Sequence, residues 1–131
     1  MLNRRHLLGA LTLSAAISLA SIASAMERKP YDQAAFDAAQ AAGRPILVEV
    51  SAPWCPTCKA QAPILSRLGN EPRFKELVRF NVDFDSQKDL LRKFNVQTQS
   101  TLIVFKGKQE AGRSTGDTNA ASIEALLARS N

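Results

Sequence analysis

The junction at which Trp54-Cys55-Pro56-Thr57-Cys58 follows almost at once on Pro45-Ile46-Leu47-Val48-Glu49-Val50 constrains this chain more than any other feature. The short apolar run reads as a buried strand of the kind found inside parallel sheets. Two cysteines three apart at the start of a helix lie on one face, with α-carbons in roughly the 4.4–6.8 Å window that a disulfide requires. The pair can then cycle between dithiol and disulfide with little backbone motion. Placement after a strand puts Cys55 at a helix N-terminus, where free amides and the helix dipole stabilise a thiolate. Cys55 is therefore the expected attacking sulfur, and Cys58, one turn inward, the expected resolving thiol.

Other readings of the pair stand beside this one. An inert disulfide would staple the domain, but closing a four-residue loop removes little unfolded-state entropy. Two thiolates also suit copper(I), and a redox-inactive binding or chaperone module would need no exchange at all. Further classes fall away on composition. Two cysteines cannot close a four-ligand zinc site. The single histidine, His6, precedes the domain, which removes Cys-His catalysis and histidine metal ligation from it.

Residues 1–25 read as a targeting segment: Arg4 and Arg5, an uncharged stretch from Leu7 to Ala25, and the small-residue ending Ala23-Ser24-Ala25. Thr12, Ser14, Ser18 and Ser21 dilute the stretch, which barely reaches the roughly 20 apolar residues of a spanning helix. Cleavage near Ala25 and a periplasmic or otherwise exported product are expected, by either the general secretory or the twin-arginine route. The remainder, residues 26–131, suits one domain. Of 17 basic residues two lie in the leader, so 15 face 12 acids and the net charge falls from +5 to +3. Those charges are interspersed, and no nucleic-acid footprint is expected.

Along the domain, Asp32 caps a helix over 32–42 that stops at Gly43. A second helix runs from about Cys58 to Leu68, with Pro63 as a kink. Val78, Phe80, Val82 and Phe84 alternate with Arg79, Asn81 and Asp83 as a strand. Ser86 is the expected cap of a helix carrying Leu90, Leu91 and Phe94. Thr101-Leu102-Ile103-Val104-Phe105 and a segment ending at Thr115 form a hairpin, and Gly116 and Asp117 introduce a last helix. Strands alternating with helices predict an α/β three-layer sandwich, a central mixed sheet flanked by helices.

From Ile46-Leu47-Val48-Glu49-Val50 through Ala52-Pro53-Trp54-Cys55-Pro56-Thr57-Cys58-Lys59, Pro63, Thr101 to Phe105, Gly107 and Gly116, the chain resembles the thioredoxin family over nearly the whole domain. The resemblance implies a thioredoxin-like fold, thiol-disulfide exchange with protein thiols and disulfides, a nucleophilic first cysteine, a buried second one, and no cofactor beyond the redox pair. A monomer is expected. Glu49 stands where the family has a buried aspartate, which makes it the candidate for proton transfer with Cys58; burial would raise its pKa for that task. The rival reading points Glu49 into solvent. Trp54 is read as a wall of the active site, against a rival reading as ordinary core, and Lys59 as a solvated helix position.

One departure stands out. Where the family has a cis-proline before the strand beginning at Thr101, this chain has Ser100, preceded by Gln99. By resemblance that segment faces the cysteines and offers the backbone of Gln99 to an extended substrate. A cis bond before a non-proline residue costs about 2.5–4 kcal/mol, so a trans bond is expected. Ser100 could then use its hydroxyl and amide on the Cys55 thiolate. Pro56-Thr57 matches neither the Gly-Pro of general reductants nor the Pro-His of strong oxidants. A reducing or isomerising partner of the cell envelope is favoured, with Gly43-Arg44-Pro45 resembling domains that take electrons from a membrane thiol reductase.

Overall fold

The strand and helix periods of the sequence are realised in the computed structural model, which describes residues 26–131. The leader expected over residues 1–25 lies outside the described residues. In chain order the elements are β1 (Arg28–Pro30), α1 (Gln33–Ala41), β2 (Pro45–Ser51), α2 (Pro56–Gly69), a 3-10 turn (Pro72–Phe74), β3 (Val78–Asp83), α3 (Lys88–Lys93), β4 (Thr101–Lys106), β5 (Gln109–Thr115) and α4 (Ala120–Ala128). The five strands form one mixed sheet in the order β1-β3-β2-β4-β5. β1, β3 and β2 run parallel, while β4 is antiparallel to both β2 and β5.

Strand alternation sends neighbouring residues to opposite faces, and each face has its own core. Ile46, Val48 and Val50 of β2 pack with Phe80, Val82 and Ile103 under Phe36 of α1 and Leu91 of α3. Phe36, Phe94 and Phe105 meet there edge to face, with centroids 5.5–6.1 Å apart. On the other face Leu47, Leu102 and Val104 pack against Leu65 and Leu68 of α2 and Ile123 and Leu127 of α4. Each fully buried side chain of this size contributes about 1.5–3 kcal/mol by leaving water. The result is the three-layer α/β sandwich expected from the sequence.

Local chemistry explains the boundaries. The Asp32 carboxylate caps α1 by accepting the Ala35 N–H at 2.7 Å. Gly43, with φ +68°, takes the left-handed conformation that ends a helix and turns the chain into β2. Three expectations need correction. β1 was not anticipated, because three exposed residues carry no alternation; Pro30 is tolerated there since β1 is an edge strand. α2 starts at Pro56, two residues earlier than expected, because Pro at the first helical position needs no N–H partner. Ser86 does not cap α3, which follows Gln87 without a side-chain cap. The Ser86 amide and hydroxyl instead donate to Asp83 Oδ1, at 2.8 and 3.0 Å, since a carboxylate is the stronger local acceptor.

Candidate active site

β2 ends at Ser51 at the middle of the sheet, and the chain turns directly into α2, so the cysteines sit at the C-terminal edge of a central strand. Cys55 is the N-cap residue of α2 and Pro56 its first helical position. Cys55 Sγ accepts the Cys58 N–H at 3.1 Å, within a buried disulfide whose α-carbons lie 5.3 Å apart. The sulfur of Cys55 therefore occupies the place where the unpaired amides of a helix N-terminus point, the setting that lowers a thiol pKa. Both cysteines are buried and pack with Ala52 and Phe84. Thr57 is half-buried beside them.

Trp54 is 54% exposed and does not belong to either core, which removes the core-packing reading. Its indole Nε1 donates to Asp85 Oδ2 at 2.8 Å and its ring stands edge-on to Phe84 at 6.3 Å. A large apolar surface is thus held open beside the disulfide.

Glu49 is 3% exposed, so the solvent-facing reading of it fails. It lies on the α2 face of β2 and is not a solitary acid. Arg79 on β3, also buried, donates from Nε to Glu49 Oε2 at 2.8 Å. Arg28 of β1 approaches the same oxygen at 3.4 Å and binds Ser51 Oγ and Asn81 Oδ1 through Nη2. These groups, with Cys58, Lys59 and Asp83, line an open cleft of about 430 Å³ on the α2 face. The cleft gives the proton of Cys58 a polar surround that contains two carboxylates, the buried Glu49 and the half-buried Asp83. Lys59 is exposed at its rim.

On the side of β2 away from β3 lies the segment that leads into β4. No described peptide bond is cis, so the Gln99–Ser100 bond is trans, as expected. Ser100 is buried with φ +60°, a left-handed conformation that a non-glycine residue seldom adopts. Its N–H donates to Val50 O at 2.8 Å, and its carbonyl accepts from Gly116 N at 3.0 Å and Gln61 Nε2 at 3.2 Å. With the disulfide formed, the Ser100 hydroxyl donates to the Gln99 carbonyl at 2.5 Å and not to a sulfur. Gln99 is half-buried.

A family model described as thioredoxin matches residues 27–129, which is the whole described domain apart from its ends. The chain belongs to the thioredoxin family. Its Cys55–Cys58 pair is that of a thioredoxin-family thiol-disulfide oxidoreductase. Among relatives, the yeast Saccharomyces cerevisiae thioredoxin-2 is 30% identical over 92 residues, 70% of this chain and 86% of that protein. The bifunctional thioredoxin reductase/thioredoxin of Mycobacterium leprae is 32% identical over 92 residues, 70% of this chain but only 20% of that protein. Trxlp from Edwardsiella tarda EIB202, a solved structure, superposes with a TM-score of 0.74 at 45% identity, covering 76% of this chain and 97% of that one.

Within this thioredoxin-family site the structure brings Cys55, Cys58, Pro56, Thr57 and Trp54 into one turn, sets Glu49 in the cleft that Cys58 lines, and sets Ser100 against the end of β2. Sequence reasoning missed Arg79, Arg28 and Gln61. The first could have been suspected from the polar parity of β3, whose Arg79, Asn81 and Asp83 share the face of Glu49. The other two carry no hydropathy signal.

Proposed function

We propose that this chain reduces disulfides of other proteins in the cell envelope. The observation that carries the reading is Cys55 at the N-cap of α2 with its sulfur accepting the Cys58 amide, a thiolate site built in advance. In the forward step the Cys55 thiolate attacks one sulfur of a substrate disulfide. The mixed disulfide forms and the other substrate sulfur leaves as a thiolate. Cys58, having given up its proton, then attacks Cys55 Sγ; the intramolecular disulfide forms and the second substrate sulfur leaves. Two electrons pass to the substrate, and in this reading Glu49, which lines the same cleft as Cys58, takes the Cys58 proton. A dithiol donor, of the class of membrane thiol reductases, returns the pair to its reduced form.

The envelope location rests on Arg4-Arg5, the apolar stretch 7–25 and Ala23-Ser24-Ala25. The reducing direction rests on the short passage from β3 through the six-residue α3 to β4, without the helical insertion of dedicated oxidants. The test is the reduction potential of the Cys55–Cys58 pair in glutathione buffers, together with insulin reduction under dithiothreitol. A potential near the roughly −270 mV of thioredoxin supports a reductant, and one near −120 mV reverses the direction. Failure to reduce insulin overturns exchange altogether, and retention of one Cu(I) per chain through gel filtration would then favour copper handling.

A further inference from the structure

Gln61 is a polar residue buried to 1% exposure in a helix whose other buried residues include Leu65 and Leu68. Its Nε2 donates to two backbone carbonyls from different segments, Ser100 at 3.2 Å and Asp117 at 2.9 Å. Its Oε1 is buried without a partner among the described residues. An apolar side chain would fill the same space without a stranded acceptor, so packing alone does not account for a carboxamide here.

What the carboxamide holds is more telling. Gln61 lies three residues after Cys58, on the adjacent turn of the same helix face. Ser100 sits in a left-handed conformation that its own chemistry disfavours, so neighbouring contacts must over-determine it. Those contacts are Val50 O on its amide, and Gly116 N and Gln61 Nε2 on its carbonyl. Gln61 is the only side chain among them. It links the cysteine helix to the segment that leads into β4, which by resemblance faces the cysteines, and through Asp117 to the loop leading into α4.

We propose that Gln61 is a positioning residue for protein-substrate docking: its carboxamide fixes the Ser100 carbonyl and so sets the Gln99 backbone against which an extended substrate segment pairs. The proposal rests on the exchange reading above. An extended peptide that adds to a fixed backbone edge gains main-chain hydrogen bonds only where that edge is held in place. A small disulfide, which reaches the sulfur without pairing to Gln99, does not need this alignment.

The experiment uses pre-reduced protein mixed with excess insulin or with 5,5′-dithiobis(2-nitrobenzoate) in single turnover. Gln61→Leu and Gln61→Asn are compared with the unaltered protein, the second keeping the carboxamide but shortening its reach. The expected result is an insulin half-saturation concentration about five- to tenfold higher, the scale of one lost hydrogen bond. The maximal rate, the rate with the small disulfide and the reduction potential stay within about twofold or unshifted. An unmoved half-saturation concentration overturns the proposal, as does an equal loss with both substrates. Loss of the folded state in both variants would make Gln61 purely structural and also overturn it. If the unaltered protein does not reduce insulin, the exchange reading itself fails, whatever the variants do.

Discussion

The Arg79 guanidinium donates its Nε–H to Glu49 Oε2 at 2.8 Å, with both side chains about 95% removed from solvent. A buried ion pair of this kind tolerates joint replacement better than loss of one partner, since a lone buried charge has neither water nor counter-charge. Arg28, half exposed and 3.4 Å from the same oxygen, gives only partial compensation. Arg79→Met is therefore expected to destabilise the protein by about 3–5 kcal/mol in urea unfolding at pH 7. Glu49→Leu combined with Arg79→Leu should recover most of that loss. A single variant no less stable than the double one would contradict the pairing.

Trp54 presents the reverse case, a large side chain that the fold does not need. Because it is 54% exposed, Trp54→Ala should shift unfolding by less than about 1 kcal/mol, against the 3–5 kcal/mol typical of a core tryptophan. The same variant should raise the half-saturation concentration for a protein disulfide. Chemical denaturation and single-turnover kinetics on one preparation separate the two roles; a core-sized stability loss would return Trp54 to the packing reading.

How far the sequence reached depended on which physical period carried the information. The alternation through Val78, Phe80 and Val82 and the unbroken run Ile46 to Val50 marked β3 and β2, since burial of one or both faces writes itself into hydropathy. Register does not. Leu47 pairs with Arg79 and Glu49 with Asn81, so Arg79 reaches Glu49 diagonally, a relation fixed by strand offset rather than by residue type. The three-residue β1 was invisible for want of length, and with it the Arg28 contact. Cys55 and Cys58 were legible because their spacing, their helix and their strand all pointed one way. The left-handed backbone at Ser100 and the burial of Gln61 were not, as neither serine nor glutamine advertises such a position.

Gly107 offers a test of the hairpin that carries β4 past the site. Its φ is +58°, and a Cβ built there would lie 3.3 Å from Gly43 Cα and 3.5 Å from Gln40 O. Its amide also donates to Arg44 O at 3.1 Å, tying the turn to the start of β2. Gly107→Ala should cost about 1–2 kcal/mol from the left-handed backbone alone, with a lower urea midpoint and an unchanged slope. No loss of stability would mean that the turn relaxes to another conformation.

Asp83 links stability to acid pH at the mouth of the cleft. Hydrogen bonds from the Ser86 amide and hydroxyl, reinforced by the Asp85 amide and the nearby Lys88 charge, hold its carboxyl below the ordinary value of 3.8 against a smaller opposing effect of burial. A carboxyl whose folded pKa is depressed binds its proton more readily in the unfolded chain. Its contribution is therefore complete above the unfolded value, near 4, and disappears as pH falls through the lower folded value. Asp83→Asn should accordingly be less stable than the unaltered protein at pH 6–7, and the gap should close as pH drops below about 4. The group is partly exposed and screened by solvent, so the gap should be small and should narrow further with added salt. Urea midpoints for both proteins between pH 7 and pH 2.5 measure it. A gap that stays constant across that range would mean that the Asp83 turn is held by shape and not by charge.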